Sequence, residues 1–159
     1  MQFLIFHLGQ DRYGLGTRQL VRVLPLMALK QLPQAPAYVA GLMNFHGAPV
    51  PVIDMGMLAC NVRCQPQFDT RILLTRFDRS DGSSHLLGLM VERVSHIADM
   101  DPSVFAAPGV ANGAAPYLGK VAAADGALVQ WVELAQLLTP EVRALLFPSE
   151  TPESQGAPC

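Results

Sequence analysis

An internal repeat restricts the folds available to this sequence. The segment YVAGLMNFHGAPVPVIDMGML, which starts at Tyr38, aligns without a gap with YLGKVAAADGALVQWVELAQL, which starts at Tyr117. Each copy has the pattern of a strand, a tight turn that ends in glycine, a second strand, and a short helix with an acid near its N-terminus. The matching residues are Gly47 and Gly126 in the turns and Asp54 and Glu133 at the helices.

The repeat also extends upstream of these segments. FLIFHLGQDRYGLG and ILLTRFDRSDGSSHLLGLM each predict two strands joined by a polar turn, and each leads into a further short strand. Two copies of a roughly five-stranded unit, each too small to bury much apolar surface alone, predict two small barrels packed together. We therefore expect an all-β fold with minor helices in residues 1–147. The first barrel should cover about 1–68, the second about 69–147, and a disordered tail 148–159.

The run NFHGAPVPVID predicts a strand that carries two prolines. Pro49 and Pro51 are two residues apart, so both missing N–H groups belong to the same side of the strand. Proline is tolerated where a strand side lacks a hydrogen-bonding partner. We expect that side of the strand to be unpaired within its own sheet.

Composition excludes several classes of function. Charged residues make up only 15% of the chain, the net charge is −2, and no basic block is present, so nucleic acid is not an expected partner. The longest charge-free run, residues 31–53, contains four prolines that would break a membrane-spanning helix. The N-terminus lacks the pattern of a signal peptide, and three cysteines fit reduced thiols. These features predict a cytoplasmic protein without membrane insertion.

The sequence offers no constellation of residues that supports catalysis, and we expect neither a cofactor nor a metal. Cys60 and Cys64 have the wrong spacing for a zinc site and no second pair. Asp54 and Glu133 occupy equivalent places in the two repeats, which favours helix N-terminal roles over an acid–base pair.

With the repeat and the NFHGAPVPVID run in view, the sequence resembles the CheW family, the adaptor proteins of bacterial chemosensory arrays. The matching pieces include FLIFHLGQDRYGL, LPQAPAYVAGLMNFHGAPVPVIDM, TRILLTRF, LGLMVERVSHI and PYLG, from about Phe3 to Leu146. The resemblance implies two SH3-like barrels and no enzymatic activity. It implies a scaffold that joins the cytoplasmic tip of a chemoreceptor to the regulatory domain of a CheA-type histidine kinase, as a monomer that assembles into arrays.

The resemblance also implies two sets of contact residues and shows two departures. His46 stands where the family turn usually has arginine, and Arg22 stands where many members have an acid. These departures suggest an unusual receptor, such as one of a surface-sensing pathway. The predicted receptor contacts are Leu20, Arg22, His46, Gly88 and Val91, and the predicted kinase contacts are Leu29, Gly41, Ala48, Phe105 and Val110.

A second hypothesis belongs to another class. The groove between the barrels could serve as a pocket for a small ligand or for catalysis, as concave sites between structural units often do. Convergent polar side chains, which would support this reading, are missing from the sequence pattern.

Overall fold

The structure, a computed structural model, describes residues 1–78, 82–106, 118–124 and 126–147. These ranges form ten strands, two short α-helices and three 3-10 helical turns. The strands are β1 (Gln2–Leu8), β2 (Asp11–Gly16), β3 (Leu20–Pro25), β4 (Val39–Phe45), β5 (Ala48–Asp54), β6 (Arg71–Asp78), β7 (Ser84–Val91), β8 (Arg93–Asp99), β9 (Leu118–Ala124) and β10 (Ala127–Val132). The helices are α1 (Met55–Cys60) and α2 (Pro140–Leu146), and the 3-10 turns are Thr17–Gln19, Pro102–Val104 and Leu134–Gln136. No helix among the described residues is long and apolar enough to cross a membrane.

The strands form two five-stranded sheets, which confirms the all-β prediction. Sheet 1 has the order β8-β1-β2-β10-β9, and sheet 2 has the order β3-β6-β7-β5-β4. Each sheet contains one parallel pair, β2 with β10 in sheet 1 and β7 with β5 in sheet 2. The other neighbours are antiparallel. Each parallel pair joins the second strand of one repeat to the fifth strand of the other.

The predicted boundaries of the barrels, 1–68 and 69–147, do not correspond to the two sheets. Each sheet contains the first two strands of one repeat and the last three strands of the other. The exchange occurs because β3 pairs with β6, and β8 pairs with β1, instead of with strands of their own repeat. An alternating sequence predicts a strand but not its partner, so the repeat alone could not reveal this exchange.

One apolar core joins the two sheets. Leu4, Phe6 and Leu8 of β1 contribute to a cluster that also contains Leu73 of β6 and Leu89 of β7. The alternate residues of β1 face a second, smaller cluster inside sheet 1. Because β1 is buried on both faces, it contributes both to the core between the sheets and to the core inside sheet 1.

Candidate partner-binding site

The β4–β5 turn presents its residues in a fixed geometry. Phe45 pairs with Ala48 across the hairpin, and the two residues between them, His46 and Gly47, have positive φ values of 50° and 86°. The backbone N–H of Gly47 donates to Asn44 Oδ1 at 2.8 Å. Positive φ at both central positions is the geometry of two-residue hairpin turns. His46 and Ala48 are exposed on this turn.

The structure brings together Arg22 and His46, the two residues that we expect to depart from the family pattern. The guanidinium carbon of Arg22 lies over the ring of Phe45, 5.9 Å from its centroid. The His46 ring meets the same Phe45 ring edge-on, with centroids 4.4 Å apart. A cation at this distance from a ring face is attracted by the ring quadrupole. We name Arg22, Phe45 and His46 the turn cluster.

The turn cluster also joins the two ends of sheet 2. Arg22 lies on β3 at one end of the strand order, and Phe45 lies on β4 at the other. The segment between β3 and β4, which we call the returning segment, runs back along β4. There the backbone N–H of Lys30 donates to the carbonyl oxygen of Leu42, and the N–H of Leu42 donates to the carbonyl oxygen of Lys30, both at 2.8 Å. Sheet 2 therefore curls toward closure, as a small barrel does.

Gly41 lies beneath that returning segment and is buried. Its φ is +147°, and a Cβ added there would lie 2.5 Å from the backbone oxygen of Lys30 and 3.1 Å from Leu29 Cβ. The structure brings the predicted kinase residues Leu29 and Gly41 into contact with each other. Leu29 is half-buried, whereas Gly41 is buried and is therefore not accessible for a direct contact.

Pro49 and Pro51 lie in the part of β5 whose edge away from β4 has no strand paired with it. Leu42 lies opposite Pro51, and the backbone N–H and C=O of Leu42 both form hydrogen bonds with Lys30. Leu42 and Pro51 are therefore a pair without hydrogen bonds to each other, and the nitrogen and C=O of Pro51 point away from β4. On that far side, β7 pairs with β5 only from Val52 to Asp54. The prediction of an unpaired strand side is confirmed for the half of β5 that contains the prolines.

This open side forms one wall of a groove of about 340 Å³. Residues 48–51 of β5 lie opposite Ser84, His85 and Leu86 of β7, and Leu146 and Phe147 close one part of it. The Phe147 ring stacks on Phe77 with a centroid distance of 5.9 Å and on His85 with one of 4.6 Å. These stacks fix the C-terminal end of α2 beside β5.

Three predicted contact residues do not lie on an accessible surface. Val91 is 0% exposed in the shared core, so it cannot line a groove for a receptor helix. Gly88 is buried, and a Cβ there would lie 3.0 Å from side-chain methyls of both Ile72 and Val52. Phe105 is 4% exposed and packs against Phe3 and Trp131. These expectations are wrong because an apolar residue in a strand or loop does not reveal by its type which way it faces. Of the remaining two, Leu20 is half-buried at the start of β3, and Val110 lies outside the described residues.

Sequence reasoning missed the outer face of β3. Val21 and Val23 are 44% and 39% exposed, whereas Leu20 and Leu24 on the opposite face pack against the core. The exposure of these two valines shows that this face of β3 is open to solvent. The alternation of valines around Arg22 was visible in the sequence, but only the structure shows which alternate set is buried.

The buried acid Asp54 has a structural role. Its carboxylate caps α1 by accepting from the N–H of Met57 at 3.0 Å, and it also accepts from the N–H of Cys64 at 3.2 Å. Glu133 occupies the equivalent N-cap position of the 3-10 turn Leu134–Gln136, without a side-chain capping bond. Both acids lie at helix N-termini, as predicted. In the described ranges, no group of three or more His, Cys, Asp or Glu side chains could hold a metal ion.

Comparison with known proteins settles the family. Residues 2–141 match the family described as CheW-like domain. The chain belongs to this family. The Chemotaxis protein CheW of Klebsiella aerogenes is 24% identical over 147 residues, which cover 91% of this chain and 86% of that protein. The Rhizobium meliloti protein of the same name is 24% identical over 144 residues, covering 89% and 90% of the two chains.

A solved structure confirms the fold of this CheW-like chain. The scaffolding protein TtCheW from Thermoanaerobacter tengcongensis superposes with a TM-score of 0.77 at 20% identity, and the match covers 89% of both chains. The predicted family and fold are therefore confirmed. The alternative reading, a ligand-binding or catalytic barrel, is not favoured by these comparisons.

Proposed function

We propose that this protein is a non-enzymatic scaffold adaptor of a chemosensory array. It joins the cytoplasmic tip of a chemoreceptor to the regulatory domain of a CheA-type histidine kinase. The observation that carries this proposal is the CheW-like match over residues 2–141. The buried carboxylate of Asp54 is used for structural hydrogen bonds, which fits a protein that acts by binding and geometry alone. Its place of action is the cytoplasmic side of the membrane, next to the receptors.

The surface of sheet 2 supplies the contacts for a receptor helix. An amphipathic helix binds through an apolar stripe and needs an apolar surface to receive it. Val21 and Val23 provide such a surface on β3. The turn cluster lies at the end of the same sheet and adds the positive charge of Arg22. We assign the receptor contact to the outer face of β3 with Arg22 and His46 at its border.

The kinase contact lies on the neighbouring part of sheet 2. Leu29 is half-buried beside Gly41, and Ala48 is exposed at the start of β5. Both residues belong to the side of the sheet formed by β4, the returning segment and β5. This assignment places the two partners side by side on sheet 2, with the β4–β5 turn between them.

Charge reversal of Arg22 tests the proposal. Arg22→Glu should weaken capture of the cognate receptor tip while capture of the kinase regulatory domain stays nearly unchanged, because a charge at the border of one interface acts over about a Debye length. Arg63→Glu is the matched control, since Arg63 is also an exposed arginine and lies in the loop after α1. The measurement is separate pulldown of receptor and kinase. Equal loss of both partners with Arg22→Glu, or the same loss with Arg63→Glu, would contradict the assignment.

His46→Arg tests the same surface in the opposite sense. The change restores the residue usual in the family and adds a permanent charge beside Phe45. It should shift binding toward receptors of the common chemotaxis type. Because residue 46 has a φ of 50°, the melting temperature must be measured alongside to separate backbone strain from altered recognition. An unchanged preference in a variant of normal stability would remove His46 from the receptor contact.

A further inference from the structure

Three basic side chains form a row across one end of sheet 1. His7 of β1 lies directly opposite Arg93 of β8 on one side and directly opposite Arg12 of β2 on the other. Opposite residues of antiparallel strands share one face of the sheet, and their Cβ atoms are about 4.5–5.5 Å apart. Like charges at such positions oppose folding, so the arrangement is unfavourable for the free protein. We name Arg93, His7 and Arg12 the basic row.

The basic row lies where the inner face of sheet 1 changes from apolar to polar. Phe3, Ile5 and His7 are alternate residues of β1, and the first two belong to the smaller apolar cluster inside sheet 1. His7 and Arg12 are half-buried, whereas Arg93 is exposed. Because part of the row is withdrawn from bulk water, charge-assisted hydrogen bonds are stronger there than on an open surface.

The hydrogen bonds within the basic row leave donors rather than acceptors for a ligand. Arg93 Nη2 lies 3.3 Å from His7 Nδ1. Because a guanidinium has no acceptor, Nδ1 accepts in this bond and the ring proton is on Nε2. Arg12 Nη2 donates to the carbonyl oxygens of Ala124 and Ala127, which hold the guanidinium without neutralising its charge. The complementary ligand is therefore an anion whose oxygens only accept.

The nearby acids of the described residues do not neutralise the basic row. Glu92 accepts from a backbone N–H in the turn between β1 and β2 at 3.3 Å. Asp11 lies opposite Leu8, which packs in the core between the sheets, so Asp11 is on the other face of β2 from Arg12. Neither Arg12 nor Arg93 forms an ion pair with an acid in the described part of the chain.

The charges that act on His7 are consistent with this arrangement. Burial is the largest cause that lowers the pKa of His7, and the positive charges of Arg93, Arg12 and His96 lower it further. His96 is exposed, and its Nδ1 lies 2.9 Å from Ser95 Oγ. His7 is therefore uncharged at neutral pH, and an anion bound beside it would favour the protonated ring and raise its pKa.

We propose that the basic row binds a small oxyanion with two negative charges, of the sulfate or phosphate class. Two negative charges match the two guanidinium groups of the row, and a tetrahedral oxyanion can accept from several directions at once. Arg93 and the Nε2–H of His7 would donate to the anion, and Arg12 would add its charge from the next strand. This site lies on sheet 1, apart from the surface of sheet 2 assigned to the receptor and the kinase, and does not rest on the proposed function.

An NMR titration of the full chain with sulfate tests the site, because the charge of sulfate stays constant where histidine titrates. At constant ionic strength, the His7 ring and the Arg93 amide should show saturable shifts with a dissociation constant of about 1 mM or below. The rings of His46 and His85 should not shift. Sulfate should also raise the pKa of His7. Shifts that do not saturate, or that are equal at all three histidines, would show an adventitious ion only and would overturn the proposal.

Substitutions identify the side chains that bind the anion. Arg93→Gln should weaken sulfate binding about tenfold, since it removes a charge-assisted hydrogen bond. Arg76→Gln, which changes an exposed arginine on β6, should leave binding unchanged. His7→Gln keeps an N–H donor but cannot titrate, so it should abolish the tightening of binding at acidic pH, whereas His96→Gln should retain it. Equal effects of Arg93→Gln and Arg76→Gln, or tightening that survives in His7→Gln, would refute the assignment.

Further ligands and one further variant define the class of anion. Acetate should bind about tenfold more weakly than sulfate because it carries a single charge, and equal affinities would overturn the assignment to a dianion. Inorganic phosphate and phenyl phosphate distinguish a free ion from a phosphate group on a larger molecule; binding of either supports the site, and binding of neither would overturn it. Asp125 lies outside the described residues. Sulfate binding that appears only in Asp125→Asn would show that this acid already neutralises the row, and would also overturn the proposal.

Discussion

Replacing Gly41 by alanine should destabilise the fold more than the same change at Gly47, although both glycines have positive φ. At Gly47 the φ is +86° and a new Cβ would meet nothing within 4 Å, so only backbone strain opposes the change. That strain is about 1–2 kcal/mol for a non-glycine residue in the left-handed region. The loss of stability in Gly47→Ala therefore measures the backbone strain alone.

At Gly41 a steric conflict adds to the strain. The new Cβ would lie 2.5 Å from the backbone oxygen of Lys30, and a backbone atom cannot move aside as a flexible side chain can. Displacing Lys30 breaks its two hydrogen bonds with Leu42, each worth about 1 kcal/mol net. Together with strain of about 1–3 kcal/mol, the expected loss in free energy of unfolding is about 3–5 kcal/mol.

Urea unfolding followed by circular dichroism measures both losses under the same conditions. The comparison also tests whether Gly41 positions the segment that contains Leu29 and Lys30. If it positions the returning segment, then Gly41→Ala should weaken kinase capture together with stability, and Leu29→Ala should weaken capture with a smaller stability loss. Equal destabilisation by Gly41→Ala and Gly47→Ala would refute the steric argument.

Two further predictions concern titratable groups. Burial raises the pKa of the Cys64 thiol, so this thiol should react slowly in the folded protein. In a Cys159→Ser background, iodoacetamide should label the exposed Cys60 in the native protein and should label Cys64 only in urea. Labelling of Cys64 in the native protein at the same rate as Cys60 would contradict this prediction. Burial, followed by the positive charges of Arg93 and Arg12, lowers the pKa of His7. The unfolded chain then binds a proton near pH 6.5 that the folded chain does not, so stability should fall as the pH drops below about 6.5. An NMR titration of His7 with a midpoint at or above that value would disprove it.

Local patterns predicted most of the elements, because each was encoded within a few residues. The aligned repeats became β4 and β5 in one copy and β9 and β10 in the other, with turn glycines at φ values of 86° and 79°. The acids at the matching positions, Asp54 and Glu133, lie at helix N-termini. The proline pair indicated the open side of β5 for the half that contains the prolines, whereas β7 pairs with the other half from Val52 to Asp54.

Features that depend on distant partners could not be predicted in this way. Exchange of strands between the repeats requires β3 to pair with β6, and nothing local in β3 specifies that partner. The same limitation explains the buried residues among the predicted contacts. Val91 and Phe105 have the apolar character of a binding surface, but each faces a core that is assembled from both repeats.

The positions of the predicted contacts restrict how two partners can share this protein. His46 and Ala48 are two residues apart on one rigid turn, whereas a helix with its side chains is about 10–12 Å wide. A receptor helix centred on His46 would therefore cover Ala48 and exclude the kinase from it. A helix centred on Val21 and Val23 would instead lie over β3, where Arg22 of the turn cluster stands between these two valines, and would take no contact from Ala48. Simultaneous binding of both partners requires the second arrangement, so in this proposal the receptor helix takes both its apolar contact and the charge of Arg22 from β3.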